Sequence, residues 1–352
     1  MSRVVDVILI GQGIAGTTLA WRMLDAGLSI LILDRGENVT SSRIAAGLMT
    51  PITGKRLALT QDWKKYWTEA VEFYRSVENR TKTSFFDEKQ MLRLFQSETE
   101  RELFETKENQ FAKDVRFTKS PELPNSLRSG ELGGFEMTGG QLRVSQYLDA
   151  SRKHFQSIDA YEEEVQLEFA TDVQFDASEV IVPKLMVAAK HIIFCQGFQT
   201  AIPKQFEKVK FNPSKGEILT VAIKDFLEER ILHKGFWVAH QNVNEYRVGA
   251  TYDWNELSTN ITEKSRNWIT KRLEELVINP FEVLSQQAAV RPTMSDFQPV
   301  VGMHPKTNKI GMLNGLGSKG SLTAPRLASM LTQNILLGTS IPKEISLSRW
   351  FN

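Results

Sequence analysis

The sequence predicts an α/β chain in two domains, one built on a parallel sheet and the other an α+β unit on a mixed or antiparallel sheet. Three observations carry this. Residues 4–10 (VVDVILI), a glycine-rich turn, an apolar helix pattern and residues 29–33 (SILIL) follow one another as strand, turn, helix and strand. Residues 216–250 read differently, as alternating strands at hairpin-like spacing. The 352 residues also exceed the length at which one core usually splits into two.

The N-terminal turn is Gly11-Gln12-Gly13-Ile14-Ala15-Gly16. Gly11 suits a tight turn, Gly13 a close backbone approach to a pyrophosphate, and Gly16 close packing of helix on strand. Ile14 and Ala15 open the helix, whose free N–H groups and positive dipole end suit phosphate. Asp34 closes the second strand 18 residues past Gly16, near the spacing of an acid that holds a ribose hydroxyl, with Arg35 beside it. Together these describe a Rossmann-like dinucleotide site, against the alternative of a structural glycine turn. The fingerprint alone leaves FAD and a nicotinamide both open.

Residues 17–26 continue as a helix that Gly27 ends. Residues 41–51 are rich in small side chains: Ser42, Arg43, Ala45, Ala46, Gly47 and Met49 lie here, and such a backbone can lie close to something flat or anionic. A plain connecting loop is the alternative. Residues 61–80 form an amphipathic helix, and Ser97 with Glu100 predicts a capping box for the next one. Residues 121–134, Gly130 included, are loop-rich; Gly139-Gly140 then precedes a helix through Leu142, Tyr147 and Phe155. Short strands are predicted at 165–169 (starting at Val165), 180–182, 186–188 and 191–195. Cys195 sits in an apolar run and reads as packed core, and Gln196-Gly197 offers a second backbone approach to a ligand. A helix is predicted over 261–277, with Asn260 and Glu263 as its cap in preference to a glycosylation site. A second glycine-rich run, residues 315–320, lies between a strand and the final helix, which Gly338 closes.

A net charge of +1 gives no electrostatic argument for a polyanionic partner. With one cysteine there is no intrachain disulfide and no cysteine metal cluster, and the five histidines show no ligand spacing, so no metal is expected. No signal peptide and no apolar run of membrane-spanning length is read, which favours a cytoplasmic protein.

Two glycine runs at opposite ends of the chain suit the long cofactor FAD better than a nicotinamide, because the flavin end needs its own backbone N–H groups. At this point the chain resembles the glycine oxidase/D-amino-acid oxidase superfamily of FAD-dependent oxidoreductases. Four blocks carry the resemblance in the family's order: residues 11–34; residues 41–51 around Ala45-Ala46-Gly47; Gly249-Ala250-Thr251; and Val290-Arg291-Pro292 running on to Gly320 and Ala324-Pro325. Residues 60–140 match only in general character.

The resemblance implies an FAD domain from residues 1–60, 140–202 and 288–352, and a substrate domain from 61–139 and 203–287. It implies non-covalent FAD, since Cys195 lies in the wrong block for attachment. The positions around the cofactor are the residues named above in the two N-terminal blocks, Val165, Cys195 to Gly197, and Gly317, Ser318, Lys319, Gly320 and Ser321. It implies hydride transfer from an amine-bearing carbon to flavin, giving an imine that hydrolyses, with oxygen or another acceptor reoxidising the flavin. Arg291 matches the position that holds a substrate carboxylate, and a planar, always charged guanidinium suits that task. A structural brace between domains is its alternative. Trp237 falls where amino-acid-oxidising relatives place a tyrosine, and Tyr252 is expected to line the same pocket. The Gly317-Ser318-Lys319-Gly320 form departs from those relatives. It looks more like the FAD domain that trims carboxymethylaminomethyl-uridine in tRNA, so that activity stands as a second reading, and Lys319 lies either at the flavin edge or in solvent. A flavin-binding subunit without activity is a third.

Overall fold

The computed structural model describes residues 3–128, 131–176, 178–198 and 203–351. Its first sheet is built around the strand Arg3–Ile10, in which Val7, Ile8 and Leu9 are fully buried. A near-continuous apolar run of this kind suits a parallel strand covered on both faces. It pairs in parallel with Ile30–Leu33 on one side and Val187–Phe194 on the other, and Thr307–Asn314 extends the parallel order. The helices Ile14–Asp25 and Gly320–Leu337 pack on each other and share one core, where Leu19, Met23, Leu327 and Leu331 are completely buried. Each such side chain contributes about 1.5–3 kcal/mol of transfer free energy. The last helix ends at Gly338 in the left-handed region, at φ +68°.

The second sheet runs in the order Phe281–Arg291, Ser214–Ile223, Glu245–Gly249, Trp237–Asn242, Ile231–His233, Phe86–Leu94, Gly134–Leu142 and Leu48–Met49. All neighbours are antiparallel except Ile231–His233 against Phe86–Leu94, so the sheet is mixed. Three stretches placed by sequence in the first domain add strands here: Leu48–Met49, residues 140–142 and residues 288–291. The expected boundary at residue 202 and the loop glycine Gly130 lie outside the described residues.

Several local expectations are corrected. Residues 165–169 are not a strand. They form an irregular segment ending in the short helix Phe169–Asp172, yet Val165, Leu167 and Phe169 still pack on the core from there. The strands at 186–188 and 191–195 are one strand, Val187–Phe194. Gly139, Gly140 and Leu142 lie inside Gly134–Leu142, and the helix begins only at Val144. Thr262, not Asn260, caps the helix Glu263–Leu276 by accepting from Ser265 N at 3.3 Å. The reason lies in tertiary structure: Thr262 N and Oγ1 both donate to the buried Glu217 carboxylate, at 2.9 and 2.7 Å. Ser97 does cap Glu98–Phe111, but Glu100 turns its carboxylate to Gln96 N at 2.8 Å and to Arg93 at 2.5 Å instead of completing the box.

Among the described residues no helix is long and apolar enough to cross a membrane, and no group of His, Cys, Asp or Glu is arranged to hold a metal ion.

Candidate active site

One cavity of about 1640 Å³ is lined from both sheets. At its first end Gly11 has φ +100°, and a Cβ there would lie 2.9 Å from the Cys195 carbonyl oxygen. A Cβ on Gly16 would meet the Gly11 carbonyl oxygen at 1.9 Å, so Gly16 serves helix–strand contact and does not itself line the cavity. Gly13 offers no side-chain cap to the helix it opens; Ser42 reaches in and accepts from Ile14 N at 3.1 Å. Asp34 is fixed at the end of its strand by Gln12 N at 2.6 Å and Gly36 N at 2.9 Å. Ala15, Arg35, Ser42, Ala45, Ala46, Gly47 and Met49 all face the cavity.

Arg43 does not. It pairs with Asp149 at 2.7 Å, because the turn Ser41–Ile44 sends adjacent side chains to different sides. Instead, Arg247 from the second sheet controls this loop: Nη1 donates to the Ala45 carbonyl at 3.0 Å and Nη2 to that of Ile44. Burial lowers the Arg247 pKa to about 10. The signal for it was an arginine inside an otherwise apolar strand segment, Tyr246-Arg247-Val248.

Val165, Cys195, Gln196 and Gly197 line the middle of the cavity. Burial pushes the Cys195 thiol up to about 12, which leaves it unreactive. From the far end of the chain, Gly317, Ser318, Lys319, Gly320 and Ser321 join the wall, where the helix Gly320–Leu337 starts without a side-chain cap. Lys319 keeps access to the cavity, and its Nζ donates to Thr60 Oγ1 at 3.3 Å. Burial by the surrounding protein lowers its ammonium pKa.

On the side of the second sheet, Arg291, Trp237 and Tyr252 line the same space. Arg291 donates from Nη1 to the Lys215 carbonyl at 3.3 Å and from Nη2 to that of Thr251 at 3.2 Å. Its guanidinium lies over Gly216, where a Cβ would come within 2.0 Å of Nη2. Burial lowers its pKa, but a guanidinium stays charged, and these two bonds to carbonyls leave further N–H donors for an anion. Trp237 stands opposite Gly249, whose missing Cβ would sit 3.1 Å from the indole ring. Beyond Trp237 the cavity continues past Arg93, Gln96, His233 and Arg272, none of which any sequence motif singled out.

A glycine-turn end on the parallel strands of the first sheet, joined through one cavity to an arginine-floored pocket on a second sheet, defines a dinucleotide-dependent oxidoreductase. More particularly, the chain belongs to the DAO family of FAD dependent oxidoreductases, whose sequence model matches residues 6–334. A curated relative, the bifunctional protein of tRNA 5-methylaminomethyl-2-thiouridine biosynthesis from Marinobacter nauticus, is 21% identical over 98% of this chain. The chain spans only 58% of that relative's length. Among solved structures, glycine oxidase from Bacillus cereus superposes with a TM-score of 0.80 at 19% identity, over 96% of each chain. Iminodiacetate oxidase from Chelativorans superposes with a TM-score of 0.79 at 16% identity, over 96% of this chain and 97% of the other. At these identities the match is one of fold.

The residues present fit FAD. Backbone is laid bare at Gly11 and Gly13, an acid ends the second strand, and a second helix opens uncapped at Gly320 on the same cavity.

Proposed function

We propose that this FAD-dependent oxidoreductase oxidises a small amine or amino acid that carries a carboxylate. The observation that carries the reading is Arg291: a guanidinium in the cavity wall, held by two backbone carbonyls and, among the described residues, by no carboxylate, with donors left over. A substrate carboxylate forms a bidentate pair with such a group and gains charge-assisted hydrogen bonds. Trp237 and Tyr252 cover the bound substrate and exclude water from it.

At the other end, Gly11, Gly13, Ile14 and Ala15 approach the pyrophosphate of FAD, and Asp34 takes the adenosine ribose. Gly317 to Ser321 and Lys319 serve the flavin end, where a cation stabilises developing negative charge. The cofactor is held without a covalent bond, because the Cys195 thiol is packed away in the core. Bound FAD supplies the two-electron acceptor for the hydride leaving the substrate's amine-bearing carbon. The nitrogen lone pair closes the C=N bond of an imine, an N–H proton leaves, and water hydrolyses the imine to carbonyl and amine. Oxygen is the electron acceptor in this reading, and the cytoplasm its setting.

A second reading rests on Gly317-Ser318-Lys319-Gly320 and on the tRNA-modifying relative: the amine is then the carboxymethylaminomethyl group of a uridine, and Arg291 keeps its task. Anaerobic mixing of the yellow holoenzyme with glycine, sarcosine, D-amino acids, proline and carboxymethylaminomethyl-uridine tests both. Bleaching by a carboxylated amine supports the first reading, and bleaching by the nucleoside alone moves the assignment to the second. A yellow protein that no amine bleaches removes both.

A further inference from the structure

We propose that the substrate carries a second anionic group, a carboxylate or a phosphate at the far end of its amine substituent, and that Arg272 with Lys55 receives it beside His233 and Gln96. The inference rests on the reading that Arg291 takes the carboxylate next to the amine.

Strand register gives the scale. Ile218 pairs with Gly249, Gly249 with Trp237, Trp237 with His233 and His233 with Arg93, so these five residues form one row across the sheet. All five face the cavity. Three strand spacings separate Ile218 from His233, about 14 Å along the sheet. The Arg291 guanidinium lies over Gly216, on the same face of the same strand as Ile218. A small amino acid seated on Arg291 therefore leaves the His233 end of the cavity unfilled.

Charge says what fits there. Among the described residues the cavity wall has three carboxylates, Asp34, Glu37 and Glu168. The first two follow the second strand, Ile30–Leu33, and Glu168 follows Val165, whose N–H donates to the Asp34 carbonyl. All three thus belong to the nucleotide end. The far end holds Arg93 and Arg272, and Lys55 follows Gly54, whose carbonyl accepts from Arg93 at 2.8 Å; no wall carboxylate lies among the three. Arg93 is already neutralised by Glu100 at 2.5 Å. Arg272 and Lys55 have no carboxylate partner among the described residues. The Arg272 guanidinium is instead oriented over the Trp268 ring, 4.6 Å from its centroid.

The neighbours of Arg272 are built for a polar ligand. A Cβ on Gly235 would meet Gln96 Oε1 at 2.3 Å and Arg272 Nη1 at 3.5 Å, so the glycine keeps open a gap that both side chains border. His233 Nε2 is buried and has no hydrogen-bond partner among the described residues. Such an orphan is costly in a finished core and useful beside a ligand that accepts a hydrogen bond.

The test uses FAD-loaded protein, reduced with dithionite under nitrogen so that binding is read without turnover. Calorimetry compares N-hexylglycine with N-carboxymethyl-6-aminohexanoate and its phosphonate analogue. We expect at least one anionic tail to bind about tenfold more tightly than the hexyl tail, the scale of one charge-assisted hydrogen bond. Carboxylate and phosphonate arms then tell the two anion sources apart. In Arg272→Gln the ratio is expected to fall to within about twofold of one, and Arg272→Lys to retain part of it. Equal binding of charged and uncharged tails to the wild type, or an undiminished ratio in Arg272→Gln, overturns the subsite. Should the ratio and its loss stand while air-oxidised enzyme turns over none of these ligands, the subsite survives and the amine-oxidation reading falls.

Discussion

The guanidinium carbon of Arg291 lies 4.1 Å from the centroid of the Tyr252 ring, so the cation at the substrate end of the cavity is covered by an aromatic face. The residue bearing that ring is itself half exposed, and its loop is tied back to the sheet: Thr251 N donates to the Glu217 carbonyl at 3.2 Å, and Asp253 N to that of Lys215 at 3.0 Å. The buried Lys215 ammonium pairs with Glu256 in the same loop.

Removing the ring should therefore loosen the clamp without abolishing it. A cation–π contact at an exposed site contributes about 0.5–1 kcal/mol. Tyr252→Ala is expected to raise KM for a carboxylated amine by about threefold, while Tyr252→Phe, which keeps the ring, stays within about twofold of wild type. Steady-state kinetics on both variants check this.

Gly16 gives a sharper prediction about the nucleotide end. An added methyl would sit 1.9 Å from a backbone oxygen, where no flexible side chain can yield. Gly16→Ala is expected to cost about 3 kcal/mol, the upper part of the range for overpacking. Urea unfolding reads the loss, and the ratio of absorbance at the flavin band to that of protein should fall with it.

His233 should make the protein acid-sensitive. Burial, aided by the nearby Arg93 charge, holds its pKa at about 3, against 6.5 when unfolded. Above the unfolded value both states are neutral and the stability is fully present. As pH falls from 6.5 towards 3, only the unfolded chain takes the proton, and stability drains away; below that both states are protonated and the loss stops. At two pH units below 6.5 the loss from this one group is about 2–3 kcal/mol. Urea midpoints at pH 7 and pH 4.5 should therefore fall further for wild type than for His233→Gln, and an equal fall in both would count against a buried neutral histidine.

The nucleotide end was legible because its determinants are contiguous. Gly11, Gly13, Gly16 and Asp34 lie in one strand–turn–helix–strand unit, and their backbone demands leave a pattern in the residues themselves. Residues 165–169 misled because alternating Val165, Leu167 and Phe169 look the same whether a strand or an irregular segment lays them on a core. Thr262 overruled Asn260 as a cap only through Glu217, a partner 45 residues away. Arg43 and Ser42 are neighbours in sequence, and only the turn between strands shows that one faces the cavity and the other Asp149.

The far end of the cavity had no sequence signature. Arg93, His233 and Arg272 come from two strands and a helix spread over 180 residues, and only pairing across the sheet brings His233 beside Arg93. Arg247 left only the mark of an arginine in an apolar strand: its task, holding the carbonyls of Ile44 and Ala45 across some 200 residues of chain, shows in the structure alone.

The most direct measurement compares sarcosine with dimethylamine, the same amine without its carboxylate, by the rate at which each bleaches the flavin under nitrogen. Wild type is expected to prefer sarcosine strongly, and Arg291→Gln to lose about 2–4 kcal/mol of that preference, the cost of removing one partner of a desolvated ion pair. If Arg291→Gln is reduced by sarcosine as fast as wild type and discriminates as well, Arg291 is a structural brace and the carboxylate clamp is wrong.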